Sequence, residues 1–234
     1  RMPILPAEQK ERPQFRQGLA TALANKPLAG YSVYLFVLNL AAYGTIPLVT
    51  LHLKRALHAP DNVTVLISAV TLVGMLLGSF SAGRIINRWG IKATLLAIHA
   101  MYAVINLALF FVGKGTPTTY VVVALLVFLY SFVFANANIA STSEMMALAT
   151  PGNKTMAMAF CGTFYYAGSG LSRLVSSVVL GSGILAEEWQ IRSVTFCHFQ
   201  SLFLIYAAAV VFAAMLLVVV PAIFPKGDYL YQVH

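Results

Sequence analysis

The chain has 234 residues, of which 59% are apolar and 9% charged, with a formal net charge of +8. Soluble domains carry about 25% charged residues, so this chain cannot cover a water-facing surface and reads as an integral membrane protein. Its cations gather in the gaps between apolar runs, which makes them topology signals and excludes nucleic acid as a partner.

In chain order, residues 1–28 are polar and lack the apolar core of a secretory signal. They read as a cytoplasmic linker, part of it an interfacial helix. A helix needs about 20 apolar residues to cross a bilayer. The long uncharged runs predict crossings near 29–52, 63–87, 92–112, 119–147, 155–182 and 195–220. Residues 29–220 are thus one six-helix transmembrane domain, and 221–234 a cytoplasmic tail. The segments "HAPDN", "GKGTPTT" and "TPGNK" supply turns between helices. Runs of this length exclude a membrane β-barrel, whose segments are short and alternating.

With the N-terminus inside, ten Lys and Arg residues fall on the cytoplasmic side. The outside loops hold four: Lys54, Arg55, Lys114 and Arg192. Both termini are therefore expected in the cytoplasm, with a plasma or bacterial inner membrane as the location. Cys161 and Cys197 lie in apolar runs and read as buried thiols. No metal site or cofactor is expected.

Polar residues within the crossings need partners or a wet cavity. The first helix carries Ser32, Asn39, Tyr43 and Thr50 on one face, shared by Phe36, with Gly44 and Pro47 permitting a kink. Helix–helix hydrogen bonding and a cavity lining both account for this stripe; Asn39 and Tyr43 are the cavity candidates. His99 reads as a packed histidine of the third helix. In the fourth helix Asn136 and Asn138 lie about 200° apart, so Asn136 is assigned to the cavity and Asn138 to packing. Glu144 is the one acid within a predicted crossing, a candidate for proton or ion coupling, although its place near the cytoplasmic end also suits contact with water. The fifth helix places Arg173 about ten residues from either end. Tyr166, Ser169, Ser176 and Ser177 share its face. Arg at the centre of a lone helix costs at least about 2.5–3.5 kcal/mol. Arg173 is therefore assigned to a polar cavity, able to hold an anionic group or pair with an acid. Tyr166 and Ser169 join it. Gly162, Gly168 and Gly170 would admit a close neighbour.

The stretch "GRIINRWGIKATLL" lies between the second and third helices. Gly83 suits close helix approach, and Gly90 a tight turn with positive φ. Arg84, Arg88 and Lys92 would meet anionic headgroups or helix C-terminal carbonyls, and Asn87 would face the orphan amides of a helix N-terminus. A plain cytoplasmic anchor is the other reading of these cations. The stretch resembles the signature loop of the major facilitator superfamily, roughly Gly-x-x-x-Asp-Arg-x-Gly-Arg-Lys. Gly83, Arg88, Gly90 and Lys92 match, while Asn87 replaces the acid and Ile91 the next cation. "FRQGLATALANKPLAG" resembles the lead-in to the family's seventh helix, and "TSEMMALATPGNKTMAMAF" its junction between helices ten and eleven.

The resemblance implies an all-α fold of six transmembrane helices built as two inverted three-helix repeats, one half of a transporter, although 29–112 and 119–220 show no residue-level repeat. The departures in the loop imply the carboxy-terminal half, with the loop as a conformational latch. The implied partners are an amino-terminal six-helix half or a second copy, the lipid bilayer and a small-molecule substrate moved by alternating access. The alternatives are a structural or assembly subunit without transport and a six-helix intramembrane serine protease. For the protease, "YAGSG" offers Ser169, but the later helical histidine, His198, lies near a helix end. No enzyme activity is expected. The threefold motif of mitochondrial carriers is missing.

Overall fold

The computed structural model describes residues 15–191 and 194–219. Its helices are α1 (Phe15–Ala24), α2 (Lys26–Ala42), α3 (Thr45–Arg55), α4 (Asp61–Trp89), α5 (Ile91–Phe110), α6 (Pro117–Leu148), α7 (Lys154–Gly181) and α8 (His198–Val219). A hairpin of β1 (Glu188–Ile191) and β2 (Val194–Cys197) precedes α8.

Among the described residues, five stretches are long and apolar enough to cross a membrane: Lys26–Arg55, Asp61–Trp89, Ile91–Phe110, Pro117–Leu148 and His198–Val219. The fifth of the six expected crossings, α7, has 28 residues but is more polar, because glycine, serine, tyrosine and Arg173 dilute its aliphatic residues. Arg173 sits off-centre, nineteen residues after Lys154 and eight before Gly181; the expected bounds of 155–182, which α7 matches to within one residue at each end, already place it there rather than about ten residues from either end.

Three boundaries differ from the expected ones for local reasons. The first crossing starts at Lys26, because Asn25 caps it: the Asn25 side chain accepts from Leu28 N, and Pro27 sits in the first turn. The last begins at His198, since Val194–Cys197 pair with Glu188–Ile191 instead. Phe196 of that hairpin stacks on Phe110 at 4.7 Å, and Trp189 donates to Ser201 Oγ at 2.7 Å, which fixes the hairpin against the ends of α5 and α8. Residues 15–24 of the expected linker form α1, held by Asn153 Nδ2 donating to Gly18 O at 2.9 Å. The expected tail at 221–234 lies outside the described residues.

Lipid supplies no hydrophobic force between helices, so packing depends on close approach and hydrogen bonds. Gly74 and Gly78 of α4 lie against the backbone carbonyls of Phe128 and Phe132 of α6, a four-residue step in each helix, so the two run parallel. Helices α2 and α7 also run parallel, with Ser32 Oγ on Cys161 Sγ, Phe36 on Gly168 and Gly44 on Ser172. Helix α8 packs antiparallel to α5: Gln200 at its start donates to Phe110 O at 2.7 Å, taking up a carbonyl freed at the end of α5. Tyr31, Tyr34, Tyr102, Tyr130 and Phe203 are fully buried between these helices. His99 is packed as expected, with Nδ1 on Leu95 O at 2.6 Å and Nε2 on the Tyr34 hydroxyl at 3.3 Å. Of the fifth-helix glycines, Gly168 receives a neighbouring helix; Gly170 faces open space and Gly162 only the Tyr166 ring.

Candidate functional site

The site grows from the break in the first crossing. Helix α2 stops at Ala42 and α3 starts at Thr45. Pro47 lacks the N–H that a continuous helix would offer to Tyr43 O. The Ala42 carbonyl, at the end of α2, accepts from the Tyr130 hydroxyl of α6. Thr45 Oγ1 donates to Asn106 Oδ1 of α5 at 3.1 Å. Gly44 has ordinary helical φ and ψ of −77° and −14°, so it is required for space rather than for its conformation. A Cβ there would run into the Tyr206 hydroxyl and Ser172 Oγ. Tyr206 in turn hydrogen-bonds Ser176 Oγ of α7. The break is thus braced by four other helices and is a built feature of the fold.

Beside it a cavity of about 410 Å³ opens between α3, α7 and α8. Arg173 lies on its wall, with the guanidinium carbon 5.1 Å from the centroid of the Tyr43 ring. Tyr43 also meets Phe134 edge-on at 5.3 Å and Tyr165 at 6.4 Å. Tyr165 donates to Asn138 Oδ1 at 2.8 Å, and these two line a second groove of about 310 Å³ with Tyr166, Thr142 and Met158. Tyr43 therefore touches a wall residue of each groove.

Of the cavity candidates, the structure brings together Tyr43 and Arg173, with Tyr166 in the adjoining groove. It separates the others. Asn39 is buried and donates to its own helix at Leu35 O, 2.8 Å. Ser169 is buried and donates to Tyr166 O at 3.0 Å. The asparagine pair is placed opposite to the sequence assignment. Asn136 is buried between α4 and α6, donating to Phe132 O at 2.8 Å with Ser81 Oγ at 3.5 Å, while Asn138 faces the groove. The reason is the close α4–α6 contact at Gly78, which takes the Asn136 side of α6 into the packing. Glu144 does not reach water: it is 2% exposed, and its Oε1 has no hydrogen-bond partner among the described residues.

Sequence reading missed Arg55 and His198, which share the wall of the Arg173 cavity. Arg55 was counted only as a loop cation. A cation one turn beyond a charge-free run was the available signal. The small-residue face of α7 (Ala157, Cys161, Gly168, Ser172 and Ser176) was also legible only as scattered small residues.

At the opposite end, Gly90 joins α4 to α5 with φ of +78°, the positive value expected for this turn. Gly83, Arg84, Asn87, Arg88 and Lys92 are all exposed there. Gly83 has no neighbour within 4 Å, so it does not serve helix approach in this chain: it lies beyond Ala82, the last buried residue of α4. The family model of the Major Facilitator Superfamily matches residues 31–228. The chain belongs to that family. No curated protein matches it. Membership in the major facilitators implies secondary transport in a membrane, generally without enzyme chemistry. The Ser169 hydroxyl donates to Tyr166 O at 3.0 Å, and His198 Nδ1 lies 3.4 Å from Glu187 O.

Proposed function

We propose that this chain is the carboxy-terminal half of a major facilitator transporter and forms one wall of a cavity that opens to each side of the membrane in turn. The observation that carries this reading is the cross-section of α7. One face, with Ala157, Cys161, Gly168 and Ser172, is buried, with Cys161 on Ser32 and Gly168 on Phe36 of α2 and Ser172 on Gly44 at the break. A second, with Leu171, Leu174, Val175 and Val178, is aliphatic and exposed. The third, with Tyr166, Arg173 and Ser177, is polar and also exposed. An aliphatic face suits lipid, whereas an exposed arginine stripe needs water or protein. Both are satisfied when α7 is a sixth crossing whose polar face looks into a cavity closed by another half.

Helix pairing supports two inverted repeats, α2–α5 and α6–α8. The first crossing of each repeat packs on the second crossing of the other, and the third crossings pack on one another. The loop departures at Asn87 and Ile91 support the second half. In this reading Arg84, Arg88 and Lys92 form the latch at the cytoplasmic surface, and the buried Glu144 is the coupling residue. Both termini lie in the cytoplasm. Uptake into proteoliposomes is expected from this chain only when an amino-terminal six-helix half is co-reconstituted. Equal uptake by this chain alone would overturn the half-transporter reading in favour of self-assembly.

A further inference from the structure

We propose that the cavity at the helix break binds a small monocarboxylate with a compact apolar body; this rests on the transport reading above. Three features of the wall set the class. The first is its charge. Arg173, Arg55 and His198 line the cavity, and among the described residues no acid does. The Arg173 guanidinium carbon lies 5.1 Å from the centroid of the Tyr43 ring, a cation–π contact, and a guanidinium carries the paired N–H groups that suit a two-pronged carboxylate contact.

The second is the scarcity of other polar groups. Ser176 Oγ is already used by the Tyr206 hydroxyl and Ser172 O. Ser177 adds one hydroxyl, while Pro47, Leu51, Leu180 and Phe199 are apolar. A sugar or polyol would leave most of its hydroxyls unpaired on such a wall, and a cation would be repelled by Arg173. The third feature is the outer neighbour. A second cavity shares Arg55, His198 and Phe199 with the first, and Glu187 and Glu188 line it as well. Two acids in that adjoining cavity disfavour a second negative charge on the ligand.

The test uses labelled benzoate and its neutral isostere benzamide, with the full transporter in discs of zwitterionic lipid so that anionic headgroups do not compete. Saturable benzoate binding is expected, and R173A should weaken it about tenfold to a hundredfold, the effect of losing a charge-assisted pair. R173K should weaken it less, and benzamide binding should not respond to either change. S177D places a carboxylate one turn from Arg173 and should weaken benzoate as R173A does, which keeps the test decisive if R173A fails to fold. Benzoate binding that is absent, or indifferent to R173A, R173K and S177D, overturns the proposal. If labelling from both membrane faces still shows alternating access, the transport reading survives that failure. If benzoate binds through Arg173 without such access, the anion site stands and the transport reading falls.

Discussion

Arg173→Ala is expected to abolish uptake of labelled solute by the full transporter, by about a hundredfold or more, the scale for truncating a charge that pairs across an interface. The same change removes a cation from a membrane helix, which favours insertion, by up to about 2.5–3.5 kcal/mol at a helix centre and by less at an off-centre position such as this one. The amount of membrane-inserted protein should therefore stay level or rise while activity disappears. The contact given up within this chain is the one with Tyr43, an exposed cation–π pair on the order of 0.5–1 kcal/mol. Activity and abundance thus move in different directions, a combination that a structural role for Arg173 does not produce. Uptake per inserted molecule equal to that of the unaltered protein would refute the assignment.

The second large effect falls on the packing. Gly78→Leu places a side chain where the backbone carbonyl of Phe132 and the Cβ of Ala135 already lie. Backbone cannot rotate aside as a side chain can, so α4 and α6 must separate. Overpacking of this kind costs about 1–3 kcal/mol or more, and here it acts on the α4–α6 seam. We expect a markedly lower thermal unfolding temperature in detergent and loss of the monodisperse peak on size exclusion. Gly83→Leu, in the same helix but with nothing within 4 Å, should melt with the unaltered protein. Equal melting of the Gly78 and Gly83 variants would contradict the seam.

The contrast between these glycines also shows what was legible in the sequence. Charge-free length placed the helices, because bilayer thickness sets a minimum run that local chemistry cannot evade. The positive φ of Gly90 was legible because a one-residue connection between two helices needs it. Which glycine meets a neighbour was not legible. Gly78 stands among mostly apolar residues and Gly83 beside Arg84, but neither neighbourhood says which glycine has a tertiary partner. The same holds for Asn136 and Asn138: the helical period shows that they face apart, but only the seam at Gly78 decides which one is buried. Pro47 and Gly44 marked a kink in advance. Its bracing by Tyr130, Asn106 and Tyr206 comes from three distant helices and left no local pattern. The second strand of the hairpin, Val194–Cys197, was hidden inside an apolar run, because Val194, Phe196 and Cys197 suit a strand and a membrane helix equally.

In the proposed transporter the polar face of α7 lines a cavity open to each side of the membrane in turn. Ser177 lies on that face, is exposed and lines the Arg173 cavity. The direct measurement places one reactive thiol there: Ser177→Cys in the full transporter, with Cys161 and Cys197 changed to alanine. A membrane-impermeant thiol reagent is then applied to either face of sealed vesicles. Modification from both faces is the predicted result. Modification from one face alone, or from neither, would contradict the claim.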